Sequence, residues 1–345
     1  MTHRAIQDPA PFCLPLADGG RYIVLSDCHR GNGSAGDEFA HNSLIYKCAL
    51  EHYFEQGFTY IELGDAEELW ENESFDAIYI THTSIYDLLR RFHDPDPAKT
   101  RYIKIWGNHD ADWRNNPAPL RAIFPGIEVH ETVILQAAFP PVLLLHGHQA
   151  DPSCLGVRAK ISRFIVRHVW SGFQRLGILD PTRAAENPGR CNEIDETLYH
   201  WAKGSNKGDM KDAIHFSCRG NREASRVFPD GHLIIITGHT HRPVFANLSL
   251  TERRLMETGI GSRGVRGKAK ADPIYFNTGS CVHPRCITGI EITAEKEPDD
   301  EAPRLRYTLV KWGFSADAAC AETNTGADAE GACFPLAIRR TVLEE

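Results

Sequence analysis

The sequence predicts an α/β fold in which strands and helices alternate and a second sheet follows. Five short apolar runs have the length of buried strands, and each ends at polar residues. The runs are Tyr22 to Ser26, Tyr60 to Leu63, Tyr102 to Trp106, Val142 to Leu145 and Leu233 to Thr237. Helical periodicity over Asn42 to Gln56 and Ser74 to Phe92 separates the first three runs. This order is typical of a parallel sheet.

The later part of the chain predicts further strands. Glu128 to Gln136 precedes the fourth run across a turn, and three more strands follow the fifth run. These are Ile274 to Thr278, Gly289 to Thr293 and Leu305 to Trp312. We assign them to a second sheet. The segment Ser315 to Gly331 lacks periodicity, which indicates a loose extension.

Polar residues of one chemical kind follow each of the five apolar runs. The segments are Asp27-Cys28-His29, Gly64-Asp65, Gly107-Asn108-His109-Asp110, His146-Gly147-His148 and Gly238-His239-Thr240-His241. Because open α/β sheets bind ligands at the carboxyl ends of their strands, we expect the five ends to lie at one sheet edge and to converge on one crevice. Oxygen and imidazole ligands without a thiolate fit manganese, iron, zinc or cobalt.

In this order, the five segments resemble the signature of the calcineurin-like metallophosphoesterases. The resemblance implies two metal ions with Asp65 as the bridging ligand, because a carboxylate has two oxygens to offer. It also implies a four-layer α/β/β/α sandwich of two mixed sheets flanked by helices. One metal would be held by Asp27, His29, Asp65 and His241, and the other by Asp65, Asn108, His146 and His239.

The implied chemistry is hydrolysis of a phosphate ester or pyrophosphate. Two divalent ions, with Mn²⁺ as the first choice, can share a hydroxide that attacks the phosphoryl group. The resemblance gives His109 the task of stabilising phosphoryl charge or protonating the departing oxygen. Glu68 or Asp110 would fix the tautomer of His109. His148 has no ligand position left and is expected to contact a ligand or the substrate.

Two kinds of arginine are candidates for binding substrate. Arg30 and Arg242 follow metal-ligand candidates, where they would either clamp a phosphate or anchor a loop. Arg163 and Arg167 belong to a basic, amphipathic segment in the long stretch between His148 and Gly238. Because a structureless loop of that length is uncommon in a compact domain, we predict a helical cap there. Its arginines would be solvated, grip an anionic substrate or dock at an anionic membrane surface.

The predicted organisation is a catalytic domain over residues 20–148 and 232–313, a helical cap insertion over 149–231 and a C-terminal extension over 314–345. The chain also resembles UDP-2,3-diacylglucosamine hydrolases. The resemblance rests on the segments Gly64 to Trp70 and Gly238 to Pro243 and on the long insert before the second segment. Those enzymes split a pyrophosphate beneath a helical lid. The sequence departs from them at His109, where arginine is usual, and at His148, where aspartate is usual.

Other functions are consistent with the same segments. A serine/threonine phosphoprotein phosphatase and a cyclic-nucleotide or nucleic-acid phosphodiesterase would use the same chemistry. A noncatalytic scaffold is a further alternative, but a scaffold should have lost ligand residues and none is missing here. The net charge of −8 provides no global basic field, so nonspecific binding to nucleic acid is not predicted. We expect a phosphorylated small-molecule or lipid-linked substrate.

Cysteine usage and hydropathy favour a cytoplasmic protein. The ten cysteines are scattered without a C-x-x-C pair, and the first residues lack the pattern of a secretion signal. Reduced thiols are therefore expected. No apolar stretch reaches the roughly 18 residues needed to cross a bilayer. Contact with a membrane, if present, would be peripheral and would use the cap.

Overall fold

The computed structural model describes residues 12–16, 19–34, 37–72, 74–136, 140–154, 188–204, 210, 233–245, 274–296, 303–316 and 336–344. These residues form two mixed sheets with helices packed against them, which is an α/β fold. The described helices are α1 (Ser43–Glu55), α2 (Phe75–Thr81), α3 (Thr83–Phe92), α4 (Ala118–Ile123) and α5 (Pro188–Ala202). None of them is long and apolar enough to cross a membrane.

The first sheet has seven strands in the order β13-β12-β11-β2-β3-β4-β5. Its strands are β2 (Arg21–Leu25), β3 (Thr59–Leu63), β4 (Tyr102–Ile105), β5 (Val129–His130), β11 (Cys286–Glu295), β12 (Arg304–Ala316) and β13 (Leu336–Glu344). Strands β2 to β5 pair parallel to one another. Each is joined to the next by a helical or irregular connection that returns the chain to the edge where the previous strand began. The three C-terminal strands pair antiparallel.

The second sheet has six strands in the order β1-β6-β7-β8-β10-β9. Its strands are β1 (Phe12–Pro15), β6 (Thr132–Gln136), β7 (Val142–Leu145), β8 (Ile234–Thr237), β9 (Pro243–Val244) and β10 (Tyr275–Thr278). Strands β7, β8 and β10 are parallel and form its centre. Strands β6 and β7 make an antiparallel hairpin.

Apolar side chains bury both faces of the central strands. Helices α1 and α3 pack on the seven-stranded sheet through residues such as Tyr46 and Phe92. A second core, which includes Ile61 and Leu144, lies between strands of the two sheets. A third core joins α5 to the six-stranded sheet, with Trp201 fully buried. Because these strands are buried on both faces, their sequences are nearly continuous apolar runs without regularly alternating polar residues.

The five predicted strands are confirmed as β2, β3, β4, β7 and β8. The expectation that their ends share one sheet edge is wrong, because three of the strands belong to the seven-stranded sheet and two to the six-stranded sheet. The assignment of the three later strands to a second sheet is also wrong in part, because β11 pairs with β2 and β12 with β11 in the seven-stranded sheet, and only β10 joins the six-stranded sheet. The helix predicted over residues 74–92 is divided into α2 and α3 at His82, whose ring nitrogen lies 2.8 Å from Asp37. His82 is buried against this carboxylate and lies between the end of α2 and the start of α3.

Parts of the predicted organisation lie outside the described residues. These parts include the basic cap segment with Arg163 and Arg167, and the extension Ser315 to Gly331 beyond residue 316. Five described helices and strands were not individually anticipated, namely β1, α4, β9, α5 and β13. Helix α5 lies within the range assigned to the cap, and β13 pairs with β12 within the range assigned to the C-terminal extension.

Candidate metal centre

The five polar segments meet where the ends of the two sheets face each other. Backbone hydrogen bonds join them in pairs: Asp27 N donates to Gly64 O at 3.1 Å, and Gly238 N donates to His146 O at 2.9 Å. Between the sheets, His239 N donates to the side chain of Asp27 at 3.0 Å. The segments from different sheets therefore form one site.

The backbone is strained at most of the predicted ligands. Six residues other than glycine have positive φ among those the structure describes, and five of the six are predicted metal ligands. They are Asp27, His29, Asp65, His239 and His241. Such conformations are unfavourable for residues with a Cβ and persist only where the surroundings impose them, often at functional sites.

Glycines allow the segments to approach closely. A Cβ atom at Gly107 would lie 2.6 Å from the backbone nitrogen of Asp65, which is too close for any side chain. Because Gly107 has none, the Asn108-His109 loop can reach Asp65, and His109 N donates to the Asp65 carboxylate at 2.8 Å. The glycine next to a predicted ligand thus has a steric role.

Among the described residues, four groups of side chains have candidate ligand atoms within 4.8 Å of one another, and two of these groups consist entirely of predicted metal ligands. The first contains Asp27, His29 and His241, and the second contains Asp65, His146 and His239. The carboxylate of Asp65 lies between the groups, since its Oδ2 is 3.0 Å from Nε2 of His146 and 3.8 Å from Nε2 of His29. Six of the seven predicted ligands therefore lie in two adjacent groups, and Asn108 is in neither group. The metal-binding roles of all seven stay predictions.

His109 lies beside the groups and is oriented by two neighbours. Its Nδ1 is 2.7 Å from Glu68 Oε2, and its ring stacks on Trp70 with centroids 4.1 Å apart. The same Glu68 oxygen is 2.9 Å from Nδ1 of His29. Burial acts to raise the pKa of Glu68, but His109 and His29 lower it to about 2. An ionised Glu68 therefore directs Nε2 of both histidines away from itself.

Glu68 and Asp110 were the two predicted partners for His109, and the structure distinguishes their positions. The carboxylate of Asp110 accepts hydrogen bonds from the backbone nitrogens of Ala66 at 3.0 Å and Gly107 at 2.6 Å. Its contacts hold the loops in place, whereas Glu68 contacts the ring. Burial acts to lower the pKa of His109, but Glu68 and Asp65 raise it above its ordinary value, which favours the protonated ring.

The electrostatic field of the site is negative. Burial acts to lower the pKa of His146, yet Asp65 and Asp27 raise it to about 9. Burial acts to raise the pKa of Asp27, but His241 and His146 lower it to about 2. A field that keeps a proton on a buried imidazole also favours a bound cation.

The unsatisfied atoms of the site fit metal ions. In the described part of the chain, two buried oxygen atoms of predicted ligands lack a hydrogen bond, namely Asp27 Oδ1 and Asn108 Oδ1. In addition, Nε2 of His29 and Nε2 of His241 are 3.2 Å apart. Two nitrogens at about 2.1 Å from one ion are separated by a similar distance. Buried lone pairs without donors are costly unless a cation satisfies them.

Arg30 lies in the core and not at the crevice. Its guanidinium is fully buried, 2.6 Å from Glu67 and 2.8 Å from Glu62. Lys104 completes this buried ion network, with its Nζ 2.7 Å from Glu62 and 2.8 Å from Glu67. The position is not one from which Arg30 could clamp a phosphate, because its charge is already used by two carboxylates.

The other predicted substrate-binding residues have different positions. His148 is buried beside the second group, with its ring centroid 5.5 Å from that of His146 and 5.2 Å from that of Trp106. Arg242 follows His241 and is buried. Arg163 and Arg167 lie outside the described residues.

Sequence reasoning missed Asp151 and Arg190. Asp151 is buried, and its Oδ2 lies 3.2 Å from Nε2 of His239. Arg190, on α5, donates to Asp151 at 2.7 Å. The only signal in the sequence was an acidic residue three positions after His148, which is common in turns. The buried charges were easier to foresee, because Glu62 and Lys104 interrupt two apolar runs with opposite charges.

No family model matches the chain, and no curated protein matches it. Solved structures with a similar course of the chain include a conserved Streptococcus pneumoniae protein described as a predicted phosphoesterase, with 14% identity, 86% of this chain and 91% of that chain covered, and a TM-score of 0.31. Yfce, a phosphoesterase from E. coli, is 12% identical, with 94% of this chain and 100% of that chain covered and a TM-score of 0.30. A Vps29 single mutant from Entamoeba histolytica is 13% identical, with 93% of this chain and 98% of that chain covered and a TM-score of 0.33. At such low TM-scores, function has to be argued from the site itself.

Proposed function

We propose that the protein is a metal-dependent phosphoric ester hydrolase with two divalent ions. The observation that carries the proposal is the convergence of six of the seven predicted ligands into two adjacent groups with the Asp65 carboxylate between them. Histidine and carboxylate ligands suit Mn²⁺, our first choice, as well as iron, zinc or cobalt. Asp27, His29 and His241 would hold one ion and Asn108, His146 and His239 the other, with Asp65 contacting both.

The ions would withdraw charge from a phosphoryl group and make water a stronger acid. The protein's own contribution is the orientation of the surrounding groups. His109 presents Nε2 while Glu68 holds Nδ1 and Trp70 stacks on the ring. A protonated imidazole in that position can donate its Nε2 proton to the departing oxygen. The buried carboxylate of Glu68 favours the protonated ring and keeps its orientation.

The substrate we propose is a phosphate ester or pyrophosphate of a small or lipid-linked molecule. UDP-diacylglucosamine-like pyrophosphates belong in this class because of the Gly64 to Trp70 and Gly238 to Pro243 segments. Acyl chains or a membrane surface would then contact the cap proposed over residues 149–231. The three apolar cores support a four-layer arrangement, with helices outside each of the two sheets.

Elemental analysis and a substrate screen test the proposal. The purified protein should contain close to two equivalents of a transition metal, and the metal-loaded protein should hydrolyse at least one class among aryl phosphate monoesters, diesters, pyrophosphates and acylated nucleotide sugars. Phosphopeptides and cyclic nucleotides test the alternative substrate classes. Absence of bound metal after reconstitution, or absence of hydrolysis in every class, would contradict the proposal.

His109 provides an internal control for the screen. Removal of a general acid typically costs about 10² to 10⁴-fold. His109→Ala should therefore lower turnover most for substrates with poor leaving groups, and it should leave the metal content unchanged. Loss of metal in this variant would instead assign His109 to the ligand set.

A further inference from the structure

Asp151 is a buried acid that contacts the candidate metal centre from outside the predicted ligand sets. It follows a single helical turn, His148–Ala150, that begins at the fourth polar segment. Only 3% of its surface is exposed. Its Oδ2 lies 3.2 Å from Nε2 of His239, a predicted ligand. A carboxylate in this position can hold an imidazole in one orientation.

Besides His239, Arg190 and Ser153 hold the Asp151 carboxylate, and the Cys154 thiol donates to its Oδ2 at 3.7 Å. Nη2 of Arg190 lies 2.7 Å from both carboxylate oxygens. The backbone nitrogen and the hydroxyl of Ser153 each donate to Oδ1 at 2.9 Å. With these donors the carboxylate is held ionised and in place. The guanidinium comes from α5, so this helix is connected to His239 through Asp151.

The contact determines which nitrogen of His239 is available to a metal. In a neutral imidazole one nitrogen carries the proton and the other has the lone pair. A carboxylate at Nε2 favours the proton on that nitrogen, which leaves the lone pair on Nδ1. The backbone of His239 is held separately, because its N–H donates to Asp27 at 3.0 Å. Ring and backbone are therefore fixed by different acids.

We propose that Asp151 is a positioning residue for His239, holding it in the tautomer that presents Nδ1 to the second metal ion, and that Arg190 secures Asp151 for this task. The inference rests on the proposed function. The nearest alternative is a separate metal site formed by Asp151, Cys154 and His239, whose candidate ligand atoms lie within 4.8 Å. We favour the positioning role because both Asp151 oxygens already accept hydrogen bonds from Arg190.

Manganese titration of the metal-free, full-length protein tests the proposal. Free Mn²⁺ is counted by electron paramagnetic resonance for wild type, Asp151→Asn, Asp151→Glu and Arg190→Lys. Loss of an outer partner of a ligating histidine typically costs about 10- to 100-fold in metal affinity. Asp151→Asn should weaken one of the two sites by that factor and leave the other unchanged. Asp151→Glu should restore part of the affinity, and Arg190→Lys should have a smaller effect.

Asp195→Asn is the matched control. Asp195 is equally buried, lies on α5 together with Arg190 and accepts hydrogen bonds from the hydroxyls of Tyr275 at 2.8 Å and Thr240 at 3.4 Å, whereas Asp151 contacts the ring of His239. This variant should lose stability and keep both metal affinities. Thermal unfolding of each variant separates misfolding from loss of metal.

The outcomes distinguish this inference from the proposed function. Wild-type protein that binds no Mn²⁺ overturns the proposed function. Two sites of unchanged affinity in a folded Asp151→Asn variant overturn the positioning role alone. A third site in wild type that disappears in Asp151→Asn also overturns it, in favour of Asp151 as a ligand. Equal weakening in Asp195→Asn would reduce the role of Asp151 to structural support.

Discussion

The two sheets support their halves of the candidate site in different ways. On the seven-stranded sheet, the loops that carry Asp65 and Asn108 lie over buried, fully charged residues, including Glu62 and Lys104. On the six-stranded sheet, the neutral amide of Asn277 supports the backbone of the His239 loop, since its Nδ2 donates to Gly238 O at 2.6 Å and to Thr240 at 3.1 Å. Carboxylates contact this loop through hydrogen bonds from His239 and Thr240. The first half therefore rests on a network of buried charges that balance one another, and the backbone of the second rests on neutral hydrogen bonds that are individually weaker.

The difference bears on which half tolerates change. Buried charges are costly when one partner is removed, because the remaining charge is left without compensation. Leaving neutral groups without their hydrogen-bond partners lowers the free energy of unfolding by a smaller amount. We expect the half of the site on the seven-stranded sheet to be less tolerant of substitution than the His239 loop on the six-stranded sheet.

The largest effect is expected at the residue that joins the two groups. Asp65→Asn removes a charge shared by both ions and should lower turnover by more than the roughly 10- to 100-fold typical of an outer-shell change. It should also lower metal content. Both are measured on the purified variant with an aryl phosphate ester and by elemental analysis. Retention of both metals and of turnover would exclude Asp65 as the bridging ligand.

The buried ion network should be the next most sensitive feature. Lys104→Met leaves Glu62 and Glu67 buried without this cation, and breaking such pairs typically costs about 3–5 kcal/mol. Urea unfolding of the metal-free protein measures the change in the free energy of unfolding. Lys99→Met, which removes an exposed ion pair with Asp96, is the control and should be close to neutral. A loss under 1 kcal/mol at Lys104, on the order of a surface pair, would remove the basis for the comparison.

The hydrogen-bonded half should be affected less. Asn277→Ala removes donors to Gly238 O and Thr240 Oγ1 and the acceptor for Gly279 N. Leaving such groups unpaired costs about 1–3 kcal/mol. The same urea measurement, run beside Lys104→Met, compares the two halves directly. If Asn277→Ala were the more destabilising of the two, the order proposed here would be reversed.

A pH effect is expected where β5 of one sheet meets β1 of the other. His130 stacks on Phe12 with ring centroids 4.5 Å apart, and burial lowers its pKa to about 4. The unfolded ring takes up a proton near pH 6.5, so the unfolded state binds more protons between pH 6.5 and 4. Stability should therefore fall across this range as the pH falls, by about 1–2 kcal/mol once partial exposure is allowed for.

Comparison with His130→Leu isolates this contribution. The variant cannot take up the proton, so its free energy of unfolding should decline less than that of wild type between pH 6.5 and 4. Urea unfolding at several pH values measures both slopes. Parallel slopes would show that His130 is equally easy to protonate in the folded and unfolded states.

The sequence predicts the residues of the candidate site better than it predicts how the strands around them are divided between sheets. A strand end followed by Asp, Asn or His is a local pattern, so the five segments and their strands could be found without coordinates. The division of those strands between two sheets depends on long-range pairing, which apolar runs do not specify. Arg30 illustrates the limit. Its position beside a predicted ligand left a phosphate clamp and a loop anchor as alternatives, and its buried ion pairs, including one with Glu62 from a neighbouring strand, exclude the clamp.

Anomalous diffraction from crystals of the manganese-loaded protein tests the central claim most directly. We predict two manganese peaks, one contacted by Asp27, His29 and His241 and the other by Asn108, His146 and His239, with the Asp65 carboxylate contacting both. A single peak, or peaks that these side chains do not contact, would contradict the account.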